Sequence, residues 1–515
     1  MLSPPVDLRP QAVSGCGLAS VATLLGVAVP GGAERVWLSG VTHDSHSVRP
    51  GDLYVALPGS ATHGAHHVGA AASAGAVAVL TDPSGGQEAS ASGLPVLVVP
   101  DPRARLGAVA AQVYGQPATG LRLLGVTGTN GKTTTAHLVE AGLTAAGERA
   151  GLVGTVEIRV AGQAVPSRRT TPEATDLQGL LALMRERGVS TVAMEVSSHA
   201  LVLGRVDGIV YDVAVFTNLG HDHLDFHGSI ADYFAAKAEL FTPQRARAGV
   251  VWLDESGWGQ RLAAQARDSG LAVTTVAASP GADLLVGPPR PTGRAGQSGR
   301  LTGMLAGKPI DLEFSVDLPG SHNLADAALA LVGLALLGVD PCRATAGVGA
   351  CHVPGRMEPV WAGQDFLAVV DYAHTPDAVS CTLATLRERT DRRLLVVLGC
   401  GGDRDQGKRA DMGRIAAELA DLVVITDDNP RSEPAGGIRE QLLAGARSVP
   451  AARRAQVQEV ADRRAAIEWA VRSAGAGDVL AVLGKGHETG QEIAGVLHPF
   501  DDRTELRAAI LGAPA

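Results

Sequence analysis

The stretch GVTGTNGKTTT (residues 125–135) decides the central fold. It follows the apolar segment LRLLGV (residues 121–126), and a helical pattern with one apolar side and a closing Gly147 comes after it. Glycines between a strand and a helix let backbone N–H groups turn toward phosphate oxygens, while Lys132 and Thr133 suit the outer phosphates and Mg²⁺. The order strand, glycine-rich loop, helix therefore predicts a P-loop that binds a nucleoside triphosphate.

The spacing of this loop is unusual, because Val126 occupies the usual first glycine position and five residues separate Gly125 from Gly131. The alternative interpretation is a glycine-rich strand–helix turn that binds no ligand. The sequence GKTT at residues 131–134 favours the phosphate-binding interpretation.

Composition narrows the class of protein. The chain has 515 residues, which predicts more than one domain, and its 64 glycines with 45% hydrophobic residues suit a globular α/β protein. A net charge of −9 without a long basic run argues against a nucleic-acid partner. There is no apolar run of membrane length and no signal-peptide pattern at the start, and the five cysteines include no CxxC pair. We expect a cytoplasmic, monomeric protein with free thiols and no membrane partner.

Three blocks are predicted, namely residues 1–115, 116–350 and 351–515. The first has short strands and a loop rich in Gly, Ser and Ala at residues 84–93. The second contains the P-loop, further strands at 191–196 and 212–218, and a polar surface loop at 278–299. In the third, apolar strands alternate with helices, which predicts a mostly parallel sheet that binds ligands at the carboxyl ends of its strands. The strands of the third block are expected at residues 366–372, 393–399, 421–426 and 478–484.

Two features near the P-loop suggest a metal site. Glu195 comes at the end of the predicted strand TVAMEV, where a carboxylate can hold Mg²⁺ directly or through water. The segment FTNLGHDHLDFHG (residues 216–228) places histidines and acids after another strand, but its spacing fits no zinc pattern. It is interpreted mainly as a polar loop, with at least one imidazole near a phosphate-bound metal.

Lys237 occupies an unexpected position in SIADYFAAKAELF (residues 229–241). Read as a helix, this segment has one apolar face, and Lys237 falls on that face. Desolvation lowers the pKa of a lysine and yields a neutral amine that can add CO₂ and become a carbamate, an anion able to bind Mg²⁺. The alternative is a lysine that reaches solvent or pairs with Asp222 or Asp225.

A set of ordered motifs resembles the Mur ligases of peptidoglycan synthesis, and among them the MurE type. The motifs are GTNGKTT, MEVSSHAL, DHLD followed by YFAAK, GSHNLADAA, GRME, DYAHTPD, GCGGDRDQGKR, DNPR and GKGHE. The resemblance implies an N-terminal uridine-binding α/β domain, a central P-loop ATPase domain with a parallel sheet, and a Rossmann-like C-terminal domain. It also implies ATP-dependent amide formation that adds a third amino acid to UDP-N-acetylmuramoyl-L-alanyl-D-glutamate through an acyl phosphate.

The resemblance implies the following site residues. Lys132, His223 and Lys237 would be catalytic, and the metal ligands for Mg²⁺ would be Thr133, Glu195, His223 and Lys237 as N6-carboxylysine. ATP would be bound by Gly128, Thr129, Asn130, Gly131, Lys132, Thr133, Thr134, Asn323, Arg356 and Asp371. The UDP substrate would be bound by Ser45, Ser60, Ala61, Thr62, Thr170, Thr171, Ser197 and Arg205. The incoming amino acid would be bound by Arg404, Asp428, Asn429, Pro430, Arg431, Gly484 and Glu488.

Several alternatives remain open. DNPR with Arg431 resembles the version of the site that takes meso-2,6-diaminopimelate, but Gly490 stands where a tyrosine is common, and L-lysine or L-ornithine stay possible acceptors. The nearest rival is a related amide ligase such as folylpolyglutamate synthase, against which the N-terminal domain and DNPR argue. Two other classes are a P-loop ATPase that acts as a mechanical or regulatory switch, and a nucleotide-binding protein without catalysis.

Overall fold

The structure, a computed structural model, describes residues 8–59, 62–167, 169–293 and 295–512. The chain forms two compact α/β units. The first consists of the described residues of Met1–Leu285, Gly303–Pro309 and Leu329–Gly347, and the second of those of Val286–Thr302, Ile310–Ala328 and Val348–Ala515. Within these described ranges, no helix combines the length and the apolar character that crossing a bilayer requires.

The N-terminal part of the first unit is built on a parallel sheet of four strands in the order β3-β4-β5-β6. The four strands are β3 Gly40–Thr42, β4 Asp52–Ala56, β5 Ala78–Thr81 and β6 Val96–Val98, and a separate antiparallel pair is formed by β1 Cys16–Gly17 and β2 Trp37–Leu38. Its α-helices are α1 Leu18–Leu25, α2 Val68–Ser73, α3 Pro83–Ser90 and α4 Leu106–Val113.

The prediction of a loop at residues 84–93 is wrong for most of these residues, because α3 occupies Pro83–Ser90. Asp82 caps this helix through a hydrogen bond from the Gly85 backbone N–H at 2.9 Å. Pro83 supplies a φ angle suited to the first helical position. The two start signals outweigh the poor helix propensity of the glycines and serines that follow.

The remainder of the first unit holds a mostly parallel sheet in the order β10-β9-β8-β11-β7-β12-β13-β14-β15, in which β9 and β10 are antiparallel. The strands are β7 Arg122–Thr127, β8 Ala150–Val153, β9 Glu157–Val160, β10 Gln163–Pro166, β11 Thr191–Glu195, β12 Tyr211–Phe216, β13 Ala246–Leu253, β14 Ala272–Ala277 and β15 Leu284–Val286. The helices are α5 Lys132–Ala145, α6 Ala174–Glu186, α7 Ser198–Val202, α8 Leu224–His227, α9 Ile230–Ala238 and α10 Trp258–Asp268. Strand β7 lies between β11 and β12, so the segments that follow these three strands emerge at one edge of the sheet.

The last part of the chain has a six-stranded sheet in the order β19-β20-β24-β21-β22-β23, parallel except for β19. The six strands are β19 Glu358–Pro359, β20 Leu367–Asp371, β21 Leu394–Leu398, β22 Leu422–Ile425, β23 Gln456–Glu459 and β24 Val479–Leu483. The strands β16 Arg290–Thr292, β17 Gly296–Leu305 and β18 Lys308–Val316 precede them, and β25 Gly490–Ile493 and β26 Val496–Pro499 form a separate antiparallel pair after them. The helices are α11 Ser321–Leu336, α12 Pro341–Gly349, α13 Pro376–Arg387, α14 Lys408–Leu419, α15 Ala435–Ser448, α16 Arg463–Ser473 and α17 Asp502–Leu511. The parallel sheet predicted for the third block is confirmed.

Both faces of the sheet are covered at its four central strands, β20, β24, β21 and β22, which explains why these strands are buried at every position. Leu367 and Val369 pack into one buried cluster, whereas Ala368 and Val370 of the same strand pack into another on the opposite face. Successive side chains of a strand point to opposite faces, so a strand with helices on both sides has no solvent-facing position.

The surface loop predicted at residues 278–299 is also partly wrong. It contains β15, β16 and the start of β17. Strand β16 is exposed along its whole length and includes Pro291, which a strand tolerates at an edge where its missing N–H is not needed. These short strands were not predicted because the segment is rich in proline and glycine, which are typical of loops.

Candidate active site

The phosphate loop (residues 125–135) connects the end of β7 to the start of α5, as predicted. Gly128 has φ +152° and Gly131 has φ +84°, which are conformations that glycine adopts without a steric penalty. A β-carbon on Gly128 would also lie 1.9 Å from the Thr217 hydroxyl oxygen. Asn130 is held by a 2.9 Å hydrogen bond from its backbone N–H to the Asn218 side chain, and Thr134 is buried in the first turn of α5. The loop therefore has a fixed path that ends at a helix N-terminus, where anions bind favourably.

Two lysines bind the same carbonyl oxygen of this loop. Lys132 Nζ donates to the Gly128 and Thr129 carbonyl oxygens at 2.8 Å each. Lys237 Nζ, which comes from α9, also donates to the Gly128 oxygen at 2.8 Å. The helical stripe that contains Lys237 thus brings this side chain to the phosphate loop.

The amine of Lys237 is desolvated. The residue is only 1% exposed, and Nζ lies 4.3 Å from the centre of the Tyr233 ring. Burial lowers the pKa of Lys237 well below its ordinary value, the nearby charge of Lys132 lowers it further, and Asp222 opposes the shift. The amine therefore loses its proton far more readily than a surface lysine, and the prediction of a buried lysine on the apolar stripe is confirmed.

Glu195, at the end of β11, lies beside the phosphate loop and is fully buried. Its carboxylate accepts hydrogen bonds from the Thr133 hydroxyl at 3.0 Å, the Thr155 backbone N–H at 2.7 Å and the Thr155 hydroxyl at 3.0 Å. Among the ion pairs between described residues, none involves Glu195. A buried carboxylate paired only with neutral donors, next to a hydroxyl, fits a Mg²⁺ ion, which prefers oxygen ligands. Thr155 was not identified from the sequence, since no motif marks it.

His223 lies in a cluster of aromatic and imidazole rings. It has φ +54°, its Nε2 is 3.3 Å from Asp222 Oδ2, and its ring is 4.8 Å from that of His199. Burial lowers the pKa of His223, while Asp222 opposes the shift, so the ring tends to be neutral. Within the described ranges, no three His, Cys, Asp or Glu side chains are already arranged as a metal site. A metal held here would need oxygen ligands beyond these residue types.

The predicted UDP-substrate residues from the central sheet are brought together near the end of β11. Thr171 Oγ1 donates to the Glu195 backbone oxygen at 2.9 Å and accepts from the Ser197 N–H at 3.1 Å. Thr170 Oγ1 lies within hydrogen-bond distance of the Thr155 hydroxyl oxygen, at 3.0 Å. Ser197 also caps α7, so the hydroxyls of residues 170, 171 and 197 form one group around this strand end.

Arg205 adds a guanidinium to this group. Its Nη1 donates to the Thr171 carbonyl oxygen at 3.4 Å, and its Nε lies 2.9 Å from the carboxylate of Glu173. Glu173 is buried and also pairs with Arg103 and Arg169. Glu173 was missed from the sequence, although its place shortly after two predicted substrate threonines is a signal that could have identified it.

The predicted residues of the N-terminal sheet are placed only in part. Ser45 begins a short 3-10 helix, and His43 Nδ1, two residues earlier, lies 3.1 Å from the Thr175 hydroxyl oxygen of α6. The Thr62 carbonyl oxygen accepts from the Gly59 N–H at 3.1 Å. Ser60 and Ala61 lie outside the described residues.

Three predicted nucleotide-binding residues belong to the second unit, whereas the phosphate loop belongs to the first. Asp371, at the end of β20, accepts hydrogen bonds from two backbone N–H groups, those of residues 357 and 373, at 2.7 and 2.9 Å. The Arg356 guanidinium lies 4.3 Å from the centre of the Tyr372 ring. Asn323 is buried and donates to the Pro319 carbonyl oxygen at 2.7 Å.

The predicted amino-acid site of the second unit is assembled from two loops, which follow β22 and β24. Asn429 Nδ2 donates to Glu488 Oε2 at 2.7 Å, which joins the loops. The Asp428 carboxylate lies against Gly484, where a β-carbon would come within 2.5 Å of Asp428 Oδ2. Burial and the charge of Asp428 raise the pKa of Glu488, and Lys485 opposes this shift.

Lys485 is the main residue of this site that was missed from the sequence. It is fully buried, and its Nζ donates to Asn429 Oδ1 at 2.9 Å, to Glu488 Oε2 at 3.3 Å and to the Gly490 carbonyl oxygen at 2.6 Å. It lies within the GKGHE motif, three residues before Glu488, a spacing that could have indicated the pair.

A buried ion pair fixes the strand ends that carry these loops. Arg463 and Asp502 are both 0% exposed and form two hydrogen bonds of 2.7 Å. The same guanidinium donates to the backbone oxygens of Leu483 at 2.9 Å and Asp427 at 3.3 Å. These two carbonyl groups immediately precede Gly484 and residue 428, so one arginine ties both loops to helix α17.

The other predicted residues of this site differ in exposure. Arg431 has φ +52°, and its Nη1 donates to the Gly402 carbonyl oxygen at 2.6 Å. A non-glycine residue in this conformation is strained and needs support from its surroundings. Pro430 is buried, while Arg404 is exposed in the loop between β21 and α14. Arg404 therefore does not share the buried network of the other residues.

Comparisons with known proteins agree over most of the chain. Family models match at residues 38–114 (Mur ligase family, catalytic domain), 126–334 (Mur ligase middle domain) and 355–486 (Mur ligase, glutamate ligase domain). The UDP-N-acetylmuramoyl-L-alanyl-D-glutamate–2,6-diaminopimelate ligase of Streptomyces coelicolor is 53% identical over 519 residues, which cover 98% of each chain. The enzyme of the same name from Corynebacterium glutamicum is 48% identical over 478 residues, which cover 91% of this chain and 90% of the relative.

A solved structure of a ligase with this name is also similar, with 31% identity and a TM-score of 0.69. The match covers 95% of this chain and 98% of that one. Likeness of sequence and of fold thus extends through both units. The chain belongs to the Mur ligase family.

Proposed function

We propose that this chain forms an amide bond between UDP-N-acetylmuramoyl-L-alanyl-D-glutamate and meso-2,6-diaminopimelate, driven by ATP, in peptidoglycan synthesis. The observation that carries this proposal is the 53% identity over 98% of the chain to the Streptomyces ligase of that name. The three matched segments lie within the ranges 1–115, 116–350 and 351–515, which supports assigning these ranges to a UDP-substrate domain, an ATP domain and an amino-acid domain.

The proposed reaction has two steps. An oxygen of the substrate's terminal glutamate carboxylate attacks the γ-phosphorus of ATP, the bond to the β-phosphate oxygen breaks, and an acyl phosphate and ADP result. The acceptor amine then attacks the acyl carbon, loses a proton, and expels inorganic phosphate from the tetrahedral intermediate. Lys132 would stabilise the negative charge that spreads over the transferring phosphoryl group, because its ammonium lies on the phosphate loop.

Magnesium is the proposed metal. Thr133 and Glu195 would hold one ion, since a hydroxyl and a buried carboxylate lie 3.0 Å apart there. His223 and Lys237 would hold a second ion. Bound at these positions, Mg²⁺ supplies charge neutralisation for the crowded phosphate oxygens.

Lys237 is proposed to act as a carbamate. The neutral amine nitrogen would attack the carbon of CO₂, and loss of a proton would leave an N-carboxylate. The low exposure of Lys237 and its lowered pKa support this step, because only the unprotonated amine is nucleophilic. The change converts a buried cation, placed beside Lys132, into an anion, which relieves the repulsion between the two side chains.

Substrate binding is proposed to use local groups, since the chain is acidic overall. The hydroxyls of Thr170, Thr171 and Ser197, with Arg205, would bind the UDP substrate, together with Ser45 and residues 60–62. Arg431 would bind the distal carboxylate of the acceptor, and Glu488 an ammonium group. Asn323, Arg356 and Asp371 would contact the nucleotide.

A parallel ligation assay tests the proposal. The UDP-dipeptide and ATP are supplied with meso-diaminopimelate, L-lysine or L-ornithine, and both product and phosphate are measured. We expect product with diaminopimelate and phosphate release only when all three substrates are present. Phosphate release from ATP alone would instead indicate an ATPase switch. A higher ligation rate with lysine or ornithine would show that this amino acid, and not diaminopimelate, is the acceptor.

The cellular setting is also a proposal. The five cysteines all lie within the described residues and form no disulfide bond there, as expected in a reducing compartment, which supports a cytoplasmic location. We propose that the enzyme works there as a monomer and contributes through the cell wall to cell shape and division. Size-exclusion chromatography with light scattering tests the oligomeric state.

A further inference from the structure

The guanidinium of Arg431 already has an acidic neighbour. Glu492 Oε2, on β25, lies 3.4 Å from Arg431 Nε, while Arg431 Nη1 is hydrogen-bonded to the Gly402 carbonyl oxygen. A carboxylate ligand binds an arginine best through two adjacent N–H groups. Glu492 therefore occupies one edge of the guanidinium that a substrate carboxylate could use.

The backbone of Glu492 is held in place beside the amino-acid site. Its N–H donates to Asn429 Oδ1 at 3.0 Å, and its carbonyl oxygen accepts from the Arg431 N–H at 3.0 Å. The Arg431 carbonyl oxygen in turn accepts from the Ala494 N–H at 2.7 Å, so the backbone of Arg431 is hydrogen-bonded to the residues before and after Ile493, the last residue of β25. By contrast, the Glu492 side chain is 42% exposed and can turn into solvent.

The other charges of the site leave this pair distinct. Glu488 forms an ion pair with Lys485 at 3.3 Å and accepts a hydrogen bond from the Asn429 amide. Lys485 is fully buried and makes three contacts within the site. The side chains of Arg431 and Glu492, by contrast, are both partly exposed to solvent, by 24% and 42% of their surface. An incoming carboxylate would therefore meet Glu492 as its direct competitor.

We propose that Glu492 is a specificity-determining residue that acts as the resident counter-ion of Arg431 and is displaced by the acceptor's distal carboxylate. This inference rests on the proposed function, because it assumes that Arg431 binds the acceptor. Displacement costs binding free energy, so Glu492 weakens the affinity for a carboxylate-bearing acceptor. It also keeps Arg431 neutralised when the site is empty.

The test compares Glu492→Gln with the wild type in steady-state ligation. We expect the KM for meso-diaminopimelate to fall about two- to fivefold, the range set by a partly exposed ion pair. The KM values for ATP and for the UDP-dipeptide should not change. Glu468→Gln is the matched control, since Glu468 pairs with Arg472 at the same distance of 3.4 Å and is 40% exposed. It should behave as the wild type.

The outcomes separate this inference from the proposed function. An unchanged or raised KM for diaminopimelate in Glu492→Gln, with a wild type that ligates it, overturns the role of Glu492 alone. Calorimetric titration of diaminopimelate into protein loaded with the UDP-dipeptide and a non-hydrolysable ATP analogue provides a second measurement without turnover. A wild type that neither ligates nor binds diaminopimelate overturns the proposed function and the inference together.

Discussion

Replacing Lys237 with methionine should abolish ligation while leaving the fold nearly as stable as before. The Lys237 amine makes a hydrogen bond of 2.8 Å to the Gly128 carbonyl oxygen, whose loss costs about 1 kcal/mol. That oxygen keeps the Lys132 ammonium as a donor, so it is not left unpaired. Removing a fully buried amine returns about 1–3 kcal/mol of desolvation cost. Methionine fills a similar volume. The free energy of unfolding should therefore change by no more than about 2 kcal/mol, with either sign.

The loss of activity should be much larger. Removing one charge-stabilising group from a phosphoryl- or acyl-transfer site typically costs about 100- to 1,000-fold in kcat. Lys237→Met removes the proposed carbamate and leaves no anion in its place. The same substitution would then lower kcat strongly and change the free energy of unfolding little. This combination distinguishes a catalytic lysine from a structural one.

Three measurements check this reasoning. Urea unfolding gives the stability change, a coupled phosphate-release assay gives turnover, and Lys237→Ala is assayed with and without short carboxylic acids that can refill the anionic position. We expect partial recovery of Lys237→Ala with the acid. Turnover close to that of the wild type in either variant would refute the carbamate. A loss of more than about 4 kcal/mol, as for a truncated core residue, would instead make Lys237 a structural residue.

Three further predictions concern the second unit. Arg431→Ala should raise the KM for diaminopimelate roughly 10- to 100-fold by removing a charge-assisted bond, and an equal rise in the KM for ATP would contradict its acceptor role. Because the pKa of Glu488 is raised, its carboxylate gains a proton at a higher pH than an ordinary glutamate. The KM for the acceptor should thus increase as the pH falls toward 5, and Glu488→Gln should abolish this dependence, which a pH series on both proteins checks. Asp502→Ala leaves Arg463 buried without its partner and should cost about 3–5 kcal/mol in urea unfolding. A cost below about 1 kcal/mol would contradict the importance of this pair.

The strongest sequence signals were those with a clear period or a fixed order. The phosphate loop follows from glycine chemistry between a strand and a helix, and the position of Lys237 follows from the helical period of α9. Helix α3 was not predicted because its glycines and serines are typical of a loop, although Asp82 and Pro83 are two signals for the start of a helix. Composition averages over a segment, whereas a cap acts at one residue.

Residues whose role depends on tertiary contacts could not be predicted from sequence patterns. Thr155 bonds Glu195 from 40 positions away, and Arg463 bonds Asp502 from 39 positions away. Neither pair has a periodicity, and each depends on which strands become neighbours. Lys485 lay inside a recognised motif, but a lysine in a loop is usually solvated, and only its burial distinguishes it.

The tie made by Arg463 has a consequence for how acceptor preference can change. One guanidinium holds the backbone just before both loops of the proposed acceptor site, so both loops are anchored to helix α17 through the same side chain. Residues 428–431 and 484–488 could be replaced together by those of a related ligase, with Arg463 and Asp502 kept. We expect this replacement to change the acceptor preference without disturbing the sheet. Helix α17 therefore supports the loops of the proposed acceptor site through Asp502, and we expect a deletion of this helix to weaken acceptor binding as well as stability.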